Sequence, residues 1–215
     1  GIIGAMHDSL HPDLVNNLNH TRNIDRTAGG TEWRIEDKAG IEHSHLSTPY
    51  QASELNLGHI VDGDRKERGQ GAELRTDGHV AVRGGKGVLI SAEAQPNATG
   101  PQLDMQDADA TLRQAVDMMR SLNDSANAAK AWLAGIDQQR ALIEQKLTSL
   151  QKPVIVASAP EGVGIASGQH MQLSARKQMF VTAGEGLDIG VFKRITAAAG
   201  EAISLFAAQL GIRIF

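Results

Sequence analysis

The chain from residue 153 to residue 215 repeats a pair of apolar positions every eight residues. The first position of each unit holds Ile155, Val163, Met171, Met179, Leu187, Ile195 and Ile203. The second position, two residues later, holds Ala157, Ile165, Leu173, Val181, Ile189, Ala197 and Leu205. Because residues i and i+2 of a β-strand point to the same face, the pattern predicts a ladder of short strands with one apolar face. Glycines at residues 168, 184 and 200 share one later phase, where the chain is expected to turn.

An eight-residue unit is too short for one chain to enclose a core, since single-chain solenoids use about 20 or more residues per coil. Three copies can enclose it, each supplying one wall of a prism. The sequence therefore predicts a mainly β protein, a trimeric intertwined β-helix or β-prism needle over residues 153–215. The predicted trimer core consists of Ile155, Val163, Ile165, Met171, Leu173, Met179, Val181, Leu187, Ile189, Ile195, Ile203 and Leu205. The phase slips by one at Ile212 and Ile214, so the shaft is expected to stop or change register there.

Residues 101–152 carry a different pattern, with apolar side chains spaced three and four apart from Leu112 to Leu150. This spacing predicts an inserted α-helical hairpin, with breaks at Asn123-Asp124 or at Gly135. Its apolar stripe has two interpretations: it packs within the hairpin or on the shaft, or it docks an effector or adaptor protein. We favour packing, because docking requires apolar surface that remains exposed after folding.

Residues 28–100 predict an irregular β-prism segment with short strands at 32–36, 41–47, 54–60, 79–83 and 88–91. Charged and glycine-containing runs, such as residues 62–68, are expected to form the turns between them. Residues 1–27 are polar and weakly patterned, and Pro12 suits the first turn of a short helix.

Composition narrows the function classes. The chain has no Cys, so disulfides and thiolate metal sites are excluded. Its formal net charge is −4 with Lys and Arg scattered along the sequence, which predicts no nucleic-acid surface. No apolar run approaches the roughly 20 residues that span a bilayer, so stable membrane insertion is not expected. With no secretion signal at its start, the protein is expected to assemble in a bacterial cytoplasm and to leave by a machine.

Histidine patterns are the main candidates for chemistry. His7 and His11 have the i, i+4 spacing of a zinc helix, but an Asp replaces the expected Glu and Pro12 disfavours helix at His11. A polar loop is the better interpretation, and a metal-dependent hydrolase remains an alternative. His43 and His45 could form rings of three imidazoles in a trimer, yet we expect them to be solvent-exposed. The sequence thus predicts no catalytic residue, no metal site and no cofactor.

Several motifs occur together in one order: WRIEDKAG at residues 33–40, LGH at 57–59, GAELRTDGH at 71–79, RGGKGVLIS at 83–91 and PQLDM at 101–105. In this order they resemble the VgrG family of type VI secretion spike proteins, over roughly residues 30–215. The octads alone are also compatible with a phage-tail-like spike or an adhesin. The resemblance favours the secretion spike.

The resemblance implies a non-enzymatic homotrimer that punctures a target envelope and is injected into the target cell. It also implies three kinds of partner. A secreted tube protein would bind a preceding part of a longer polypeptide, effector or adaptor proteins would bind the flanks, and a PAAR-repeat protein would bind the tip. Carried over to this sequence, the tip-binding positions are Leu210, Ile212, Ile214 and Phe215.

Overall fold

The structure is a computed structural model that describes residues 14–213, without the side chain of residue 98. The chain divides into an N-terminal unit that ends at Val82 and a C-terminal unit that begins at Arg83. Seven strands and two α-helices lie within the described residues, so the fold is mainly β with two helices. The predictions for Pro12, His7 and His11 fall outside the described residues.

The N-terminal unit contains one five-stranded antiparallel sheet in which each strand pairs with the next. Its strands are β1 (Arg22–Arg26), β2 (Glu32–Glu36), β3 (His43–Thr48), β4 (Ser53–Val61) and β5 (Glu67–Arg75). Gly58 in β4 has a φ of +90°, and a Cβ atom at this position would lie 2.4 Å from the carbonyl oxygen of Glu42. Only glycine fits here, because the backbone of β4 approaches the residue that precedes β3 this closely.

The strands predicted at 32–36, 41–47 and 54–60 coincide with β2, β3 and β4. Strands β1 and β5, the two edge strands, were not predicted from the sequence. β5 begins inside the charged run that was assigned wholly to a turn, and its polar, glycine-containing sequence gives no apolar alternation. Residues 79–83 form no strand in this chain, although a strand was predicted there.

The C-terminal unit contains a two-stranded parallel sheet with a helical insertion between its strands. Strand β6 (Val88–Ser91) pairs with β7 (Ile155–Ser158). Between them lie α1 (Gln106–Ala128) and α2 (Ile136–Leu142), followed by a π-helical turn, Ile143–Leu147, and a 3-10 turn, Thr148–Leu150. A small apolar core joins insertion and sheet: Met105, Ala108, Leu150 and Val156 are buried, with Leu89, Leu147 and Val154 packed against them. Neither helix among the described residues has the length and apolar character to cross a membrane.

The break between the helices lies after Ala128, whereas Asn123-Asp124 lies inside α1. The chain reverses through Lys130, whose φ is 58°, and α2 starts directly after Gly135. The Asn123 side chain fixes this connection, because it donates to the carbonyl oxygen of Ala134 and accepts from the Ala134 N–H, both at 3.0 Å. Asn123 therefore stabilises the hairpin from within a helix instead of ending that helix.

The backbone of residues 159–213 forms neither helix nor strand within this chain. Bends interrupt it at a constant interval, at residues 160–161, 168–169, 176–177, 184–185, 192–193, 200–201 and 208–210. The interval of eight residues equals the spacing of the apolar pairs in the sequence. This segment therefore has periodic geometry and lacks strand partners in its own chain.

Candidate functional site: two exposed apolar surfaces

The most prominent surface feature of the C-terminal unit is a row of exposed apolar side chains. We call this row the apolar ladder: Ile155, Val163, Ile165, Met171, Leu173, Met179, Val181, Leu187, Ile189, Ile195, Ile203 and Leu205. Their exposed fractions run from 50% at Met171 to 74% at Ile165. A soluble monomer rarely leaves so many large apolar side chains open to water. The row is therefore a candidate interaction surface.

Beyond the ladder, the predicted tip positions are partly described. Leu210 is 85% exposed and Ile212 is 55% exposed. Ile214 and Phe215 lie outside the described residues. Both described tip residues are thus open to a partner, as the ladder is.

The helical hairpin contacts the ladder segment near residues 178–182. The buried amide of Gln139 in α2 donates a hydrogen bond to the Thr182 hydroxyl at 3.3 Å. A Cβ atom added to Gly135 would lie 2.9 Å from Nε2 of Gln178, so α2 begins close against this segment. Met179 and Val181 nevertheless remain 55% and 63% exposed. The hairpin thus packs on the segment while leaving its two ladder side chains largely uncovered.

The apolar stripe of the hairpin is only partly buried. Val116, Ala126 and Ile143 are buried, which agrees with the interpretation that the stripe packs within the fold. Trp132 and Leu133, in the connection between the helices, remain 64% and 53% exposed. Apolar surface is therefore left over after folding, and the docking interpretation keeps a candidate location.

A second apolar surface lies on one face of the sheet in the N-terminal unit. Antiparallel register places Trp33 opposite Leu46, Leu46 opposite Leu55 and Leu55 opposite Leu74. These four side chains form one row across β2 to β5, and their exposed fractions lie between 38% and 63%. We call them the apolar sheet face. The sequence analysis missed this surface, because its signal is one large apolar residue per short strand, visible only once the register is known.

The opposite face of the same sheet is ionic. Arg22 Nε lies 2.8 Å from Glu36 Oε2, and Arg75 Nε lies 2.9 Å from Glu54 Oε1. Glu32 pairs with Arg26 and with Arg34, and Glu73 pairs with Arg68. Glu32 and Glu36 are only 6% and 4% exposed. The sheet thus buries carboxylates while it exposes leucines, the reverse of an ordinary half-buried sheet.

Hydrogen bonding keeps the buried carboxylate of Glu36 ionised. Burial by itself would raise its pKa. The hydroxyl of Thr21, the guanidinium of Arg22 and the N–H of Lys38 all donate to this carboxylate, and together they hold its pKa below the usual range. The ionic face is therefore a formed network of partnered charges.

His43 and His45 lie on this ionic face, and the prediction that they are solvent-exposed is wrong. His43 is 8% exposed, and its Nδ1 lies 3.0 Å from the carbonyl oxygen of Ile41. His45 Nδ1 lies 2.7 Å from Oδ1 of Asn56. Burial lowers the pKa of His43, and the charges of Arg34 and Arg22 lower it further against the Ile41 hydrogen bond and Glu36. Both imidazoles point away from the apolar sheet face, so closure around that face would not bring three of them together.

Within residues 14–213, no three His, Asp or Glu side chains are arranged to hold a metal ion. The described surfaces are apolar rows and paired charges. Their chemistry suits association with other proteins.

Comparison with known proteins covers both units. A family model described as a type VI secretion system Rhs element Vgr matches residues 22–126. A second model, described as an uncharacterized protein conserved in bacteria (DUF2345), matches residues 143–215. Neither description includes a catalytic activity.

Two curated relatives from Pseudomonas aeruginosa are similar in sequence, the type VI secretion system spike proteins VgrG2b and VgrG2a. Each is 32% identical over 191 residues, which cover 75% of this chain. The matches cover 19% of VgrG2b and 23% of VgrG2a, so this chain spans about a fifth of the length of these relatives.

Two solved structures share the fold, each with 40% sequence identity, a TM-score of 0.87 and coverage of 91% of this chain. The first is the VgrG spike from the Type 6 secretion system, of which this chain covers 74%. The second is the Tle1 effector bound to the VgrG spike, of which this chain covers 60%. The likeness extends over nearly the whole chain.

Proposed function

Because this chain belongs to the VgrG family of type VI secretion spike proteins, we propose that it forms the shaft and tip of a homotrimeric needle that punctures the target envelope. The observation that carries the proposal is the exposure of all twelve side chains of the apolar ladder in the single chain. Two further copies of the chain would supply the cover that the ladder lacks.

The backbone supports the same assembly. Residues 159–213 bend every eight residues and have no strand partners in their own chain. Unpaired N–H and C=O groups beside an exposed apolar row favour strand pairing with another chain. A closed arrangement of three copies would pair these groups and bury the ladder on the axis, and it would leave no free edge.

The energy of such burial is substantial. Fully burying a Val, Leu, Ile or Met side chain contributes about 1.5–3 kcal/mol relative to leaving it in water. Each chain would bury twelve such side chains along the axis. Bending the shaft would require many of these contacts and the interchain hydrogen bonds to break together, which suits an element that transmits axial force.

The apolar sheet face would be covered in the same way. Trp33, Leu46, Leu55 and Leu74 face the side opposite the ionic network, so a trimer that closes around them would keep the charges outside. The interface would then include the N-terminal unit as well as the octads. The ionic face would remain in contact with solvent.

Partners follow from the same surfaces. Leu210 and Ile212, with Ile214 and Phe215 beyond them, would bind the PAAR-repeat tip protein. Since a related VgrG spike is solved with the Tle1 effector bound, we extend effector carriage to this chain, with exposed Trp132 and Leu133 as the candidate dock.

The secreted tube protein would bind another part of the polypeptide. Assembly would precede secretion, in the bacterial cytoplasm, and the segment would perform no catalysis.

The matches to secretion spikes favour this function over a phage-tail spike or an adhesin. The hydrolase alternative, based on His7 and His11, has no observation in its favour among the described residues.

The test is the mass of the chain in solution. Light scattering coupled to gel filtration at micromolar concentration should give about three times the chain mass of 22.9 kDa. A stable particle of one chain mass would contradict the proposal, since the apolar ladder would then be exposed in the functional state.

A further inference from the structure

A cavity of about 500 Å³ opens on the ionic side of the N-terminal unit. Arginines from four elements line it: Arg22 from β1, Arg34 from β2, Arg65 from the β4–β5 turn, and Arg68 and Arg75 from β5. The acidic lining residues are Glu54 and Asp62. Two carboxylates share this wall with the five guanidinium groups, and three further glutamates, Glu32, Glu36 and Glu73, pair with lining arginines from outside it. These arginines are scattered in the sequence, and the strand register brings them together.

Much of the compensating negative charge lies outside the cavity wall. Arg22 and Arg68 pair with Glu36 and Glu73, neither of which lines the cavity. A guanidinium has five N–H donors, so an arginine held by one carboxylate retains donors for a further acceptor. Ion pairing with these glutamates positions the arginines without saturating them.

Arg34 pairs with Glu32 and still keeps one donor free. Its Nε is buried and has no hydrogen-bond partner. Burial lowers the pKa of Arg34, and the positive charges of Arg22 and Arg26 lower it further against the opposing effect of Glu32. An anion held in the adjacent cavity would relieve this repulsion.

The β4–β5 turn fixes Arg65 beside the cavity. Oδ1 of Asp62 accepts hydrogen bonds from the N–H groups of Asp64 and Lys66, each at 2.9 Å, so this carboxylate oxygen is engaged by the turn itself. Arg65 adopts a φ of 66°, a conformation that residues with side chains rarely take. The neighbouring Lys66 does not line the cavity. The turn thus places one of two adjacent cations at the site.

We propose that this cavity binds a phosphate-bearing ligand, either a free polyphosphate or the phosphate of a lipid headgroup. Planar guanidinium groups bind phosphate oxygens through paired N–H donors, and a phosphate presents more acceptor oxygens than a carboxylate to donors from several strands. The site lies wholly in the N-terminal unit and uses none of the ladder residues. It therefore stands independently of the proposed spike function.

Calorimetric titration of the full chain with inorganic pyrophosphate at low ionic strength tests the proposal. One pyrophosphate should bind per chain, and Arg65→Gln should weaken binding at least tenfold. Arg65 is exposed and makes no ion pair within residues 14–213, so this variant should fold normally by circular dichroism. Lys66→Gln is the matched control, because it removes the same charge one residue away, and it should change binding less than twofold. Equal weakening by the two variants would overturn the proposal, since binding would then follow overall charge.

Sedimentation with phosphatidylcholine vesicles containing phosphatidic acid distinguishes the source of the phosphate. Vesicle binding that Arg65→Gln weakens and Lys66→Gln preserves supports a headgroup ligand, whereas specific binding of pyrophosphate alone supports a free one. Absence of specific binding in both experiments would overturn the proposal.

Discussion

The sheet of the N-terminal unit and the segment of residues 159–213 differ in how far strand pairing within the chain satisfies their backbone hydrogen-bonding groups. Every strand of the sheet pairs with a neighbour in its own chain, and ion pairs cross one of its faces. The later segment bends regularly and has no strand partner among the described residues of its own chain. Both regions nevertheless leave an apolar row exposed. The comparison shows that internal strand pairing stabilises a backbone without covering its apolar face, so only the second region should need other copies for its backbone conformation.

The strongest test of this difference introduces charge into the ladder. Leu173→Asp combined with Val181→Asp should abolish the proposed trimer, because each change would place three carboxylates together on its dry axis. The measurement is mass by light scattering, with a complete shift to the single-chain mass expected. Gln172→Asp is the matched control, since residue 172 alternates with the ladder positions, and it should preserve the trimer. A double variant that remained trimeric would show that these residues do not form the interface.

A smaller effect is expected from truncation on the apolar sheet face. Leu55 is 38% exposed in the single chain, where Leu55→Ala should change the free energy of unfolding by little more than about 0.5 kcal/mol. If the trimer buries this face, the same change should cost about 2–5 kcal/mol per chain. Urea unfolding at two protein concentrations measures the difference.

Leu18→Ala is the control for this experiment, since Leu18 lies outside the sheet and is 81% exposed. Equal and small losses for Leu55→Ala and Leu18→Ala would restrict the interface to the C-terminal unit. The apolar sheet face would then stay exposed in the trimer while the apolar ladder is buried. The two regions would differ in this respect as well as in strand pairing.

The two regions also differ in how much of their structure the sequence predicts. The octads are visible because two apolar side chains repeat at a fixed interval, and the bends of the structure recur at that interval. The edge strand β5 was not predicted, since it contains mainly polar residues and glycine and is held by pairing with β4. The buried position of His43 and the half-buried position of His45 also escaped prediction, because both lie among charged residues on one sheet face and a sequence pattern normally assigns such a face to solvent. Register, and with it the arginine-lined cavity, depends on contacts that one sequence does not display.

The ionic face should make the stability of the N-terminal unit depend on pH. His43 has a lowered pKa in the folded state, so the unfolded chain binds more protons between that pKa and the unfolded value of about 6.5. Stability is therefore fully present above about pH 6.5 and decreases as the pH falls below it. The midpoint of urea unfolding should decrease from pH 7.5 to pH 5.5.

His43→Asn should flatten this dependence, because an amide can still donate to the Ile41 carbonyl and does not titrate in this range. His59→Gln, at a half-buried position on the neighbouring strand β4, should retain it. An unchanged pH slope in His43→Asn would assign the dependence to other groups.

The smallest effect is expected where the hairpin meets the ladder segment. Gln139→Ala removes the hydrogen bond to Thr182, and a single neutral hydrogen bond contributes about 0.5–1.5 kcal/mol to stability. The variant should unfold at slightly lower urea and keep the trimer mass, because the ladder residues themselves are unchanged. Gln138→Ala, one residue earlier and exposed, should have no measurable effect on either quantity. Loss of the trimer in Gln139→Ala would mean that the hairpin sets the conformation of the ladder. The segment of residues 159–213 would then depend on the helices of its own chain as well as on other copies.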